Sequence, residues 1–190
     1  MRVCVSFKSP LLWFWLFCLL PPMAQAGCCN AYIKQAGLAR ESNGYLLSAE
    51  IDYQLSEKAM EALQNGVPLF WNIQVKIQRP REFFWPETLA EATIRYRLQY
   101  HALLKMYRVK NERNGVVHNV STLSGAIGLM SVLRNVRLFD GAEFLPEPGA
   151  VVALKVDFDR DALPLPLRPL AYLSRQWYLS SDWSSWPLKN

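Results

Sequence analysis

Residues 71–78 read Trp-Asn-Ile-Gln-Val-Lys-Ile-Gln, with every odd position apolar and every even position polar. A β-strand places successive side chains on opposite faces of its sheet, so this period predicts a strand with one buried and one hydrated face. Strands of that kind belong to antiparallel sheets, because parallel sheets are covered on both faces. The stretch therefore predicts an antiparallel β-protein.

The same alternation recurs along the chain, in residues 47–53, 93–102 and 152–159. Weaker strand patterns occupy residues 32–39, 104–109, 116–120 and 176–183. Two short segments are typical of hairpin turns between such strands, Ser42-Asn43-Gly44 and residues 111–115. About seven or eight short strands with turns between them predict an antiparallel β-sandwich.

Two segments break the two-residue period and are predicted to be short helices. Residues 56–66 begin with a serine cap and end with Gly66. Residues 122–135 carry apolar residues at helical spacing. The proline-containing segment 163–169 is predicted to be extended, because each proline removes a backbone donor and disfavours helix in the residue before it.

The N-terminus has the organisation of a secretory signal peptide. Two basic residues precede ten apolar residues, Leu11 to Leu20, and an Ala-x-Ala cleavage site ends at Ala26. Ten apolar residues are too few to span about 30 Å of hydrocarbon as a helix. We therefore expect residues 1–26 to be a signal peptide, and residues 27–190 to form one periplasmic or secreted domain without a transmembrane span.

Two cysteines remain after the predicted cleavage, Cys28 and Cys29, both at the new N-terminus. No disulfide can then cross-link the body of the domain, so its stability must come from its core. A lipidated Cys28 would anchor the protein to a membrane. Gly27 is the small residue that bacterial lipoprotein signals require before the cysteine, whereas Gln25 departs from their leucine. The alternative is a pair of thiols that stay free or bond to another chain.

Charge and motifs argue against several classes of function. The formal charge of +5 falls to +3 without the signal peptide, and the basic residues are interspersed with acids, which does not indicate a nucleic-acid partner. The chain has no nucleophile elbow and no phosphate-binding loop. We therefore predict a protein that is not an enzyme and uses no cofactor or metal. A hydrolase that uses Glu50 and Asp52, or His101, is the open alternative.

Aromatic residues are the most unusual feature of the composition. Partly exposed aromatic rings are favoured at protein interfaces and at sugar-stacking sites, although packing in a core is the common alternative. A polar row on one strand face could likewise form a docking surface or simply keep a sheet soluble. The candidate interaction surface comprises Trp85, Trp177, Trp183, Trp186, Arg95, Arg97 and His101.

Four segments occur in a characteristic order: Leu46–Tyr53 followed by residues 62–69, then 96–103, then 163–168 with Trp183 beyond it. In these segments the chain resembles an uncharacterised family of secreted proteobacterial proteins, a domain of unknown function sometimes named "proline-rich signal peptide protein". The resemblance implies a Gram-negative envelope protein. It also implies genes that lie near a membrane sensor kinase and an rRNA methyltransferase. It supplies no catalytic residue.

The sequence and the resemblance together predict a non-enzymatic periplasmic interaction or accessory domain. Its expected partner is an envelope protein of a sensor or assembly system. The alternative is a sandwich that binds a glycan or a lipid through exposed tryptophans.

Overall fold

Two antiparallel sheets form the protein, which confirms the predicted β-sandwich. The computed structural model describes residues 30–41, 44–81, 83–140 and 149–188. Within these residues there are nine strands and three α-helices. The strands are β1 (Ala31–Glu41), β2 (Gly44–Tyr53), β3 (Leu69–Arg79), β4 (Glu87–His101), β5 (Met106–Asn111), β6 (Val117–Val120), β7 (Val132–Asp140), β8 (Val151–Phe158) and β9 (Ser184–Pro187). The helices are α1 (Glu57–Gln64), α2 (Leu123–Ser131) and α3 (Arg168–Leu173).

The small sheet has the order β1-β2-β7, and the large sheet has the order β6-β5-β4-β3-β8-β9. The alternating stretch that predicted the fold lies in β3, which pairs with β4 on one side and β8 on the other. Its apolar residues Trp71, Ile73, Val75 and Ile77 are buried in the core. Because β3 is flanked on both sides, its alternation fixes the inner face of the large sheet.

Trp71 lies where three parts of the chain meet, and it is only 1% exposed. Its ring centroid is 5.7 Å from that of Tyr53 on the small sheet and 5.2 Å from that of Phe158 on β8. Its indole Nε1 donates a hydrogen bond to the backbone oxygen of Leu179, at 3.3 Å. Trp71 therefore joins both sheets and the C-terminal segment in one core.

The predicted helix over 56–66 is confirmed as α1, and the Ser56 hydroxyl accepts a hydrogen bond from the backbone N–H of Ala59 at 3.0 Å. The helix predicted over 122–135 is only partly correct. α2 ends at Ser131, and Val132 begins the strand β7, which pairs with β2. Neither glycine nor proline separates the two elements, so the change depends on pairing with a distant strand.

The C-terminal predictions over 163–169 and 176–183 are wrong. Residues 168–173 form α3, with Pro169 in the first turn, where its missing N–H costs no helical hydrogen bond. Residues 178–183 are irregular, and the last strand begins only at Ser184. Here the Ser180 and Ser181 hydroxyls accept hydrogen bonds from the backbone N–H groups of β8, at 2.9 and 2.8 Å. Side-chain oxygens thus replace the backbone acceptors of a paired strand.

Two substitutions of tryptophan should separate core from surface. Replacing Trp71 by alanine should lower the free energy of unfolding by about 3–5 kcal/mol, because it leaves a cavity between the sheets and an unpaired Leu179 carbonyl. The matched Trp85→Ala change, at a residue 91% exposed, should cost less than about 0.5 kcal/mol. Urea unfolding measures both, and similar losses in the two variants would contradict the assigned burial.

Candidate interaction surface

The four tryptophans of the candidate surface do not form one surface. Trp177 is 5% exposed and stacks on Phe158 with a centroid distance of 6.1 Å, so its ring belongs to the core. Trp186 lies opposite Val152 on β8 and is partly buried against the same core. Trp183 is 44% exposed, and the Lys76 ammonium lies 5.1 Å from the centre of its ring.

Trp85 stands apart from the other three, in the loop that joins β3 to β4. Its neighbours Phe83 and Phe84 are also outside the core, and the three rings are 88%, 76% and 91% exposed in chain order. We call Phe83, Phe84 and Trp85, which lie between Pro80 and Pro86, the aromatic loop. Soluble proteins rarely expose contiguous apolar surface of this kind without a partner.

The polar row of β4 lies on the outer face of the large sheet and is partnered within the chain. Arg95 pairs with Asp159 at 2.8 Å, and its guanidinium also lies 4.7 Å from the centre of the Phe70 ring. Arg97 pairs with Glu112 at 3.2 Å. The charges of both arginines are therefore neutralised locally, as in a sheet face that supports itself.

His101, at the end of the row, has a buried Nε2 atom without a hydrogen-bond partner among the described residues. Arg95 and Arg97 are held by ion pairs, whereas this ring nitrogen of His101 has no such contact among the described residues. None of the ion pairs described above includes His101. Glu50 and Asp52 lie on β2 in the small sheet, whereas His101 ends β4 in the large sheet.

Glu112 forms ion pairs with two basic residues of this face, Arg97 and Lys110. Its carboxylate accepts a hydrogen bond from the Lys110 ammonium at 2.6 Å and also pairs with Arg97. The hydrogen bond from Lys110 lowers the pKa of Glu112 below its ordinary value of 4.5, and the neighbouring arginines act in the same direction.

A second apolar feature lies on the side of the sandwich where β6 and β7 are edge strands. We call it the side cleft, a depression of about 490 Å³ between the β5–β6 hairpin, α2 and β7. Its lining includes Tyr96, Asn111, Val116, Leu129, Val132 and Arg134. The opposite side of the sandwich is closed by contacts of β1 with β8 and β9. On the side of the cleft, α2 bridges the two sheets through contacts with β2, β5, β6 and β7. The cleft is the depression that remains beside this helix.

The floor of the side cleft holds a small polar group. Tyr96 lies directly opposite Asn111 in the pairing of β4 with β5, and both residues are buried. Burial raises the pKa of the Tyr96 hydroxyl above 10.0, and a hydrogen bond with the Asn111 side chain opposes that shift. At the mouth, Val116, Leu129 and Val132 are between 39% and 43% exposed. Asn114, His118 and Arg134 also line the cleft, so it combines apolar and polar side chains, as binding pockets do.

The sequence pattern did not reveal the side cleft, because its walls depend on β7, which the sequence does not distinguish from α2. The sequence does indicate that Phe83, Phe84 and Trp85 lie in a loop and not in a strand, since Pro80 and Pro86 bracket them.

In the part of the chain that the structure describes, no three His, Cys, Asp or Glu side chains are grouped so as to hold a metal ion. Among those same residues, no helix has the length and apolar character needed to cross a membrane. The predicted signal peptide and Cys28 lie outside the described residues.

The fold and surface thus define a β-sandwich domain with two exposed apolar features and a self-paired polar face. A family model described as a domain of unknown function, DUF4390, matches residues 30–187, so the chain belongs to that family. Neither the curated proteins nor the solved structures that were compared include a match to this chain. The family match spans every described strand and helix.

The ion pairs of Glu112 predict a pH-dependent contribution to stability. Because the folded-state pKa is lowered, this contribution is complete above pH 4.5 and is lost as the pH falls through the folded-state pKa. Glu112→Gln should therefore lower the free energy of unfolding at pH 7, by less than about 1 kcal/mol for a partly exposed pair. Urea unfolding of both proteins should show the difference shrinking in acid, and a difference independent of pH would contradict this electrostatic role.

Proposed function

We propose that this protein is a non-enzymatic interaction domain of the bacterial envelope. In this proposal the side cleft holds an apolar segment of an envelope protein that belongs to a sensor or assembly system. The single observation that carries the proposal is the side cleft itself, where the exposed apolar side chains Val116, Leu129 and Val132 surround a buried floor. Uncovered apolar surface of that shape favours a partner that buries it.

The edges beside the cleft favour a partner that inserts side chains over one that adds a strand. β7 pairs with β2 through two register shifts, and Asn135 has a φ of 49°. β7 also carries Arg134 and Arg137, and β6 is only four residues long. Bulges, charges and short length are the devices by which sheet edges resist pairing with another strand. Bulky apolar anchors in the cleft fit this geometry better than β-addition.

Two further observations support a binding role over catalysis. The acidic and basic side chains of the outer face pair with each other across strands, as Arg95 does with Asp159 and Arg97 with Glu112. Glu50 of the hydrolase alternative contacts Lys34, at 3.3 Å, on the small sheet. Such cross-strand pairs stabilise sheet faces. The envelope location rests on the predicted signal peptide and on the family resemblance.

A second candidate function is binding of a glycan or a lipid through exposed aromatic residues. The observation that favours it is the aromatic loop, whose rings project into solvent. Of the four tryptophans in the candidate surface, Trp85 is the most suited to this role, since Trp177 is buried in the core.

A crosslinking experiment in cells tests the side cleft. With a photoreactive residue in place of Val116 and expression at the native level, illumination should join the protein to a distinct envelope protein. Leu129→Glu should reduce that product by at least about tenfold, because it puts a charge at the apolar mouth. Leu173→Glu is the matched control, since Leu173 is 87% exposed on α3 and lies outside the cleft lining.

The control variant should crosslink as the parent does. A product that survives Leu129→Glu, or no envelope product from a folded and natively expressed protein, would contradict the proposal. Thermal unfolding of each variant verifies that the fold is intact, since neither leucine belongs to the buried core.

A further inference from the structure

We propose that the aromatic loop docks the domain on a lipid bilayer, with Phe83, Phe84 and Trp85 inserted at the boundary between headgroups and acyl chains. This inference rests on the second candidate function and deepens it by naming the ligand, and it is independent of the side cleft, which shares no residue with the loop. The occupant is a phospholipid surface.

The first observation is exposure at a convex tip. The three consecutive rings lie at the end of a two-stranded hairpin, and each is at least 76% exposed. A convex apolar tip can be buried by a protein only if that protein offers a matching deep pocket. A bilayer deforms around such a tip without a preformed site. Phenylalanine and tryptophan are the residues that amphipathic membrane-binding elements place on the lipid side.

The second observation is that the tip is held out from the sheet. β3 and β4 remain paired as far as Arg79 and Glu87, so the strands support the loop to its base. Pro80 and Pro86 restrict the backbone at both ends of the loop. Restriction of the backbone at both ends lowers the conformational entropy that the loop loses when its rings enter a bilayer.

The third observation is the presence of basic side chains at the base of the loop. Arg81 lies two residues before Phe83 in the sequence. Rings that enter the boundary between headgroups and acyl chains would bring this base close to the phosphates. Arg81 and Arg79 both contact the carboxylate of Glu87 at the base of the loop. Guanidinium groups recognise phosphate oxygens through paired hydrogen bonds.

The charges around the tip also predict which lipids suffice. Arg79 and Arg81 are balanced in the sequence by Glu82 and Glu87. A neutral hairpin end gains little from the surface potential of acidic lipids, which attracts net positive segments. Phosphate is common to zwitterionic and acidic phospholipids. We therefore expect apolar burial to supply most of the binding free energy, and the affinity to be independent of headgroup charge.

Vesicle co-sedimentation tests the inference, with the protein comprising residues 27–190, which contain the complete described core. One set of vesicles is phosphatidylcholine alone, and the other also contains phosphatidylglycerol. The test variant carries Phe83→Ser, Phe84→Ser and Trp85→Ser. The matched control carries Leu103→Ser and Leu104→Ser. These two leucines are 100% and 62% exposed and lie in the β4–β5 turn, at the end of β4 opposite the aromatic loop.

The parent and the control should bind both kinds of vesicle, with affinities within about threefold of each other. The aromatic-loop variant should bind at least about tenfold more weakly while keeping the parental melting temperature, because its changes lie outside the core. Brominated acyl chains should quench tryptophan emission of the parent more than that of Trp85→Phe.

Three results would overturn the inference. In the first, the parent binds neither kind of vesicle. In the second, the aromatic-loop variant binds as tightly as the parent. In the third, only the control with changes at Leu103 and Leu104 loses binding. Absence of vesicle binding would assign the loop to a protein partner instead. The Leu129-dependent crosslink of the side cleft is a separate measurement, so either proposal can fail without the other.

Discussion

The two-sided pairing of β3 is the constraint on which the structure depends. Because β4 and β8 occupy both of its edges, its alternate apolar residues face one core and cannot slip by one position without exposing all of them. Trp71 then connects that core to Tyr53 of the small sheet and, through its indole N–H, to Leu179. The described part of the chain thereby joins two sheets and a C-terminal segment around one strand.

The sequence predicts best what depends on neighbours along the chain. Alternation in β3 and β4 and the cap of α1 are local, so those elements were predicted correctly. β7 was missed because its pairing with β2 joins residues more than eighty positions apart, and no turn residue separates it from α2. The last strand was predicted too early because Ser180 and Ser181 satisfy β8 through their hydroxyl groups, which no strand pattern describes.

The candidate surface shows the same limit at the level of single residues. Trp177 and Trp85 are the same residue type, yet one stacks in the core and the other projects from a hairpin, and only tertiary packing separates them. Arg95 and Arg97 form a polar row in sequence, but Asp159 and Glu112 reach them from other segments. Such pairs are invisible to a strand period, whereas the prolines around Trp85 are a local signal.

The distribution of polar and apolar groups constrains how the domain can work. Its outer polar face is paired within the chain, while apolar side chains are exposed at the side cleft and at the aromatic loop. Recognition at the aromatic loop would then depend on apolar burial and respond weakly to salt, whereas the cleft also presents the charge of Arg134 to a partner. β4 connects them, since Tyr96 lines the cleft and Glu87 supports the loop. Nine residues of strand span about 30 Å, so a partner in the cleft would stand about that far from a bilayer that holds the loop.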